Sequence, residues 1–120
     1  MKTFIKFICS VSVLFSMQSA FACEYPDRVM IPNGTIATKE DMLEGQRGVK
    51  KFVAAMEVYL ECIIDEEKMT RAVLEDLPPD DEQQREDLLN KKYNAAVDEM
   101  ERLAAQFNVE VQAYKAKESS

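Results

Sequence analysis

The chain has 120 residues, 22 acidic side chains against 15 basic ones, a formal charge of −7 and no histidine. That composition excludes histidine acid–base catalysis, imidazole metal ligation and a histidine pH switch, and its negative balance opposes binding to a phosphate backbone. The length fits one small domain, which buries about two thirds of its unfolded surface at best and gains from a covalent staple.

Residues 1–22 divide as an export signal peptide does. Lys2 and Lys6 precede an apolar run from Ile8 to Phe15, and Ala20 and Ala22 place small residues three and one before a cut. The run falls well short of the ~20 residues that span a bilayer, so no membrane span is expected in the mature chain. Cleavage after Ala22 removes Lys2, Lys6 and Cys9, leaving 13 basic against 22 acidic residues, a formal charge of −9, and two cysteines, Cys23 and Cys62. An even count in an exported chain predicts a Cys23–Cys62 disulfide in the periplasm or outside the cell. The alternative is a lipid on Cys23. Bulky Phe21 suits an ordinary leader peptidase better than the lipoprotein pathway, and lipidation strands Cys62 as a free thiol.

Residues 23–37 form an arm with Pro26, Pro32, Asn33 and Gly34 and no helical period. Pro32-Asn33-Gly34 predicts a turn, with Asn and Gly tolerating positive φ. Asn33-Gly34-Thr35 also fits the N-glycosylation pattern, but the bland turn reading is preferred.

A hairpin is expected over residues 38–118, with helices at about 38–76 and 80–116. Thr38 and Asp41 make a capping box, with Ala37 and Met42 as a hydrophobic staple. Apolar positions then recur at Met42, Val49, Val53, Met56, Leu60 and Ile63 at helical spacing. Pro78-Pro79 stops the helix, and Asp80 with Gln83 is the expected cap of the next. That second helix carries Leu89, Tyr93, Ala96, Met100, Leu103, Phe107, Val111 and Tyr114, a heptad-like, coiled-coil seam. Each helix is on the order of 55 Å long. A turn centred on Pro78-Pro79 pairs positions whose numbers add to about 157, such as Met56 with Met100 and Ile64 with Tyr93.

Cys62 lies off the first seam, on a neighbouring stripe with Ala55, Val58 and Tyr59. The arm, at most ~50 Å when extended, is long enough to turn back over that stripe and bring Cys23 to Cys62. The predicted fold is therefore all-α: a long antiparallel helical hairpin with an extended N-terminal arm stapled to its first helix.

Other motifs carry little. Glu57, Glu61 and Asp65 line one helix face at four-residue spacing, but a calcium site needs oxygens converging in a tight loop, and the solvated reading is preferred. Gly45-Gln46-Arg47-Gly48 has the GXXG form of a nucleic-acid clamp without the strands around it, so its glycines are expected to admit the arm or Tyr114 closely. Lys50-Lys51 and Lys91-Lys92 are expected to be solvated. No catalytic, cofactor, metal or small-molecule site is expected, and no nucleic-acid partner.

The segments "CEYPDRVMIPNGTIATKEDM", "VKKFVAAMEVYLEC" and "YNAAVDEMERLAAQFN" cover most of the mature chain, which in these resembles a family of small exported two-cysteine helical proteins of proteobacteria. The resemblance implies an exported helical domain and brings no catalytic residue with it. Gly45 and Gly48 depart from the helix-favouring residues expected there. The functional expectation is a non-enzymatic envelope protein acting through a protein partner or as a homo-oligomer. Alternatives are a periplasmic holdase-type chaperone, without the Leu-Thr-x-x-Gln repeats of known examples, and a lipid-anchored envelope protein.

Overall fold

The computed structural model describes residues 23–120; the predicted leader and Cys9 lie outside them. Two helices follow the arm, α1 over Lys39–Val73 and α2 over Pro79–Glu118. They have 35 and 40 residues, about 52 and 60 Å at the α-helical rise, and form an elongated antiparallel hairpin.

α1 starts as its sequence dictates. The Thr38 hydroxyl accepts from the Asp41 N–H, and the Asp41 carboxylate accepts from the Thr38 N–H at 2.8 Å. Two of the orphan donors at the helix start are thereby satisfied. Hydrogen bonding from Thr38, its backbone N–H first, holds the Asp41 carboxyl below its ordinary range. Ala37 and Met42 are both buried across this start, as a hydrophobic staple requires.

The turn differs from expectation in two respects. α1 ends at Val73 rather than near Asp76: Leu74 is already extended, and Asp76 takes φ 52°, a left-handed value that aspartate tolerates better than most residues. α2 is not capped by Asp80 and Gln83. It begins at Pro79 with Pro78 in the cap position and no side-chain cap bond, while the Gln83 amide donates to Asp87. Proline at the first helical position lacks only an N–H that has no partner there, and its fixed φ already fits the helix.

The turn thus centres near Asp76, and the register moves by about one helical turn. Arg71 pairs with Glu82, Glu67 with Arg85, the Lys117 ammonium with the Ala37 carbonyl, and Gly45 faces the Phe107 ring. The residue numbers of these partners add to about 153 instead of 157. Met56 therefore stands beside Ala96, and both are completely buried.

The core is a strip: Phe52, Met56, Leu60 and Ile63 of α1 against Ala96 and Leu103 of α2. The expected seam on α1 gave Val53 an inward place, but Phe52 is buried and Val53 only half-buried. Along α2, Tyr93 is the outlier, 37 % exposed. Burying a leucine- or methionine-sized side chain stabilises by about 1.5–3 kcal/mol, so this short strip is a modest anchor for two long helices.

Candidate interaction surface

The arm makes the hairpin two-faced. Cys23 and Cys62 form a disulfide with Cα atoms 5.6 Å apart. From there the arm runs antiparallel to α1, bringing Val29 to Gly48 and Pro32 to Gly45. Six arm residues thus cover fourteen helical ones, roughly 21 Å, which requires nearly full extension. Val29, Ile31 and Cys23 pack on the core, and the Tyr25 and Tyr59 rings meet edge to face at 5.1 Å. The stripe around Cys62 is covered as expected at Tyr59, while Ala55 and Val58 stay exposed.

Glycines set how close the arm lies. A Cβ on Gly45 falls 2.7 Å from the Pro32 ring, and one on Gly48 falls 2.9 Å from Val29. The GXXG sequence is thus a bed for the arm, within a regular helix. Gly34 is the most constrained: an added Cβ lies 1.9 Å from the Glu110 carbonyl oxygen, backbone that cannot step aside. No glycine has positive φ, so Gly34 serves close approach, and not the left-handed turn expected of Asn-Gly.

Polar contacts fix the same turn. The Gly34 N–H donates to the Glu110 carboxylate at 2.7 Å, and the Asn33 side-chain oxygen accepts from the Thr35 N–H and hydroxyl. The Asn33 carbonyl accepts from the Ile36 and Ala37 N–H groups. The arm therefore bridges both helices on one side of the hairpin. Further along that side, partial burial pushes the Tyr25 hydroxyl up, aided by the charge of Glu99. Glu99 itself is held low by the Arg102 guanidinium, which binds it at 2.6 Å.

At the turn end, ions replace the arm. Arg85 donates to both Glu67 oxygens, at 3.0 and 2.9 Å, and Arg71 donates to the first at 3.0 Å. Partial burial pushes the Glu67 carboxyl up, but the hydrogen bonds from Arg85 and Arg71 outweigh it and hold the pKa below its ordinary value. A shallow cavity of about 220 Å³ lies beside this group, against Leu88 and Lys92.

The other predicted residues stay apart. Glu57, Glu61 and Asp65 stand exposed in a row along α1. Among the described residues, no three histidine, cysteine, aspartate or glutamate side chains are grouped to hold a metal ion, and no helix is long and apolar enough to cross a membrane. Two open grooves of about 530 and 590 Å³ flank the arm, lined by arm residues and α1. On the arm itself Met30 is 90 % and Ile36 81 % exposed.

Among the described residues, nothing covers the opposite side in this way. At 100° per residue, Val53, Leu60 and Ile64 lie on the flank of α1 away from Tyr59 and Cys62. Val97, Met100 and Ala104 lie on the flank of α2 away from Glu99, Arg102 and Glu110. Leu60 is buried; Val53, Ile64, Val97 and Met100 are only partly buried and Ala104 is exposed. This second apolar stripe is hidden in the sequence because Val53, Ile64 and Met100 also fit the single α1–α2 seam. Its signal is the 97–100–104 spacing beside the 96–100–103 one.

Comparison of the chain with protein-family models, with curated proteins and with solved structures finds no match.

Proposed function

We propose that the protein is exported to the cell envelope and acts there without catalysis, by binding another protein chain or its own copies through the surfaces of the stapled hairpin. One observation carries this reading: the disulfide fixes the arm over one face of two long helices and leaves the other face with apolar side chains only partly buried. A structural disulfide belongs to an oxidising compartment, in keeping with the leader pattern of residues 1–22. The ionisable groups support a binding role, since Glu67 and Glu99 neutralise arginines and the Glu57 row faces solvent.

The test is an intact mass of the protein recovered from the envelope of cells expressing it with its own leader, before and after reduction with alkylation. The reading expects the mass of residues 23–120 less two hydrogens, with two alkylations only after reduction. A mass raised by a diacylglycerol and an acyl chain, with Cys62 alone alkylated, converts the protein to a membrane-tethered one. Recovery of the uncleaved, reduced chain from the cytoplasm contradicts the reading.

A holdase-type chaperone is a second reading, favoured by the exposed Met30 and Met69, since flexible thioether side chains suit varied apolar partners. Failure to delay aggregation of an unfolded client at equimolar ratio removes it.

A further inference from the structure

We infer that the arm-free face is a homodimer interface, at which two hairpins pack in parallel with α1 of each copy on α2 of the other, closing a four-helix bundle. This rests on the reading of the protein as one that acts by surface contact and names the partner for that contact.

Cover on the hairpin is asymmetric. The hairpin core is a strip two helices wide, and the arm shields one side of it through Val29, Ile31 and Tyr25. On the other side Val53, Ile64, Val97 and Met100 are only partly buried over the same length. The face is two helices wide, about 20 Å, and runs about 30 Å, so pairing it with itself buries roughly 1,200 Å² in total, the lower end of a stable interface. Affinity in the micromolar range is the corresponding expectation.

Charge selects the second copy and its orientation. Lys50, Glu57, Glu61 and Lys68 stand exposed on the outer rim of α1, Asn90, Asn94 and Glu101 on that of α2, and Glu86 at the turn end of the face in line with Ala104. By the observed register, Lys50 is level with Leu103 and Lys68 with Arg85. In the parallel two-fold arrangement Lys50 then meets Glu101 of the second copy, and Lys68 meets Glu86. Glu57 and Glu61 fall opposite the amides of Asn94 and Asn90. Symmetry repeats each contact, so four opposite-charge pairs border the interface. A like pair, Lys39 with Lys115, falls at the solvated open end, where salt screens it best.

The antiparallel alternative places α1 on α1. Its apolar stripe, Val53 to Ile64, centres near Tyr59, which sets Lys50 against Lys68 and Glu57 against Glu61. All of those are like charges, so the same rim that favours the parallel dimer disfavours the other.

Sedimentation equilibrium of the oxidised protein, expressed with its own leader and recovered from the periplasm, tests this. The expected result is a monomer–dimer equilibrium at micromolar concentration. Val97→Glu should weaken it by about a hundredfold and Lys50→Glu by about tenfold, with helicity by circular dichroism unchanged. Because Lys50 is exposed, its substitution leaves the monomer fold intact, and Lys50→Glu with Glu101→Lys should restore the dimer. Carbodiimide should join Lys50 to Glu101 between copies. A strict monomer at 100 µM overturns the inference while leaving contact with a different chain open. A dimer indifferent to both substitutions overturns it equally. Failure of the broader reading shows separately, in the intact mass and cellular fraction.

Discussion

Along the arm, from Cys23 to Gly34, the molecule is two layers deep, with the arm laid on both helices, a disulfide at one end of the arm and a buried glycine turn at the other. Beyond Ile63 the same two helices run on alone toward Pro79, held by Glu67, Arg71, Arg85 and Glu82, while Met69 and Val73 stand largely exposed. A small chain thus sustains long helices by two separate means. Where apolar packing is thin, a covalent loop and close backbone approach hold one half, and partly exposed ion pairs orient the other. The two halves should therefore respond to different perturbations.

The largest effect is expected at the staple. Cys62→Ser opens a 39-residue loop, and on the chain-entropy account the loss is about 4 kcal/mol. Urea unfolding of the oxidised protein and the variant measures it. The arm should lift while the turn-end ion pairs persist.

Next comes the strip shared by both halves. Met56→Ala leaves a cavity at a fully buried site and should cost about 3 kcal/mol in the same titration. A loss under 1 kcal/mol would mean that the helices do not rely on this contact.

Gly34→Ala separates the arm from the staple, because it strikes the arm without touching either cysteine. The new methyl meets the Glu110 carbonyl, and a cost of about 2 kcal/mol is expected, together with loss of the Gly34–Glu110 bond. An unchanged midpoint would show that the turn does not rest on α2.

Glu67→Gln probes the ion end and should cost only about 1 kcal/mol at neutral pH. Its pH dependence has a definite sign. The folded pKa of Glu67 is lowered, so its stabilisation is full above the ordinary value of 4.5 and is lost as pH falls through the lower folded value. The difference between wild type and Glu67→Gln should therefore vanish in acid and be constant from pH 6 to 8.

Much of the stapled half is legible in the sequence because its signals are local or periodic. Thr38-x-x-Asp41 specifies its cap wherever the helix lies, and Cys62 falls off the seam by simple angular count, which calls for a second layer over α1. What escapes depends on distance in three dimensions. Asn33-Gly34 has the form of a left-handed turn, but its glycine is required by the approach of α2 backbone, 76 residues away along the chain. At the turn, the Asp80–Gln83 cap pattern loses to the fixed φ of Pro79, and the register moves with it. Phe52 and Val53 are adjacent, both apolar and both near the seam, so sequence alone does not rank them; packing against Ala96 and Leu103 does.

Hydrogen exchange of backbone amides, compared in the oxidised and reduced protein, shows most directly whether the arm is a covalently held second layer on one face of the hairpin. The account predicts slow exchange at Gly34, Ile36 and Ala37, whose N–H groups bond to Glu110 and Asn33. Reduction should speed exchange at these sites by orders of magnitude while the amides around Met56 and Ala96 stay protected. Equal exchange at Gly34 in the two redox states would contradict it.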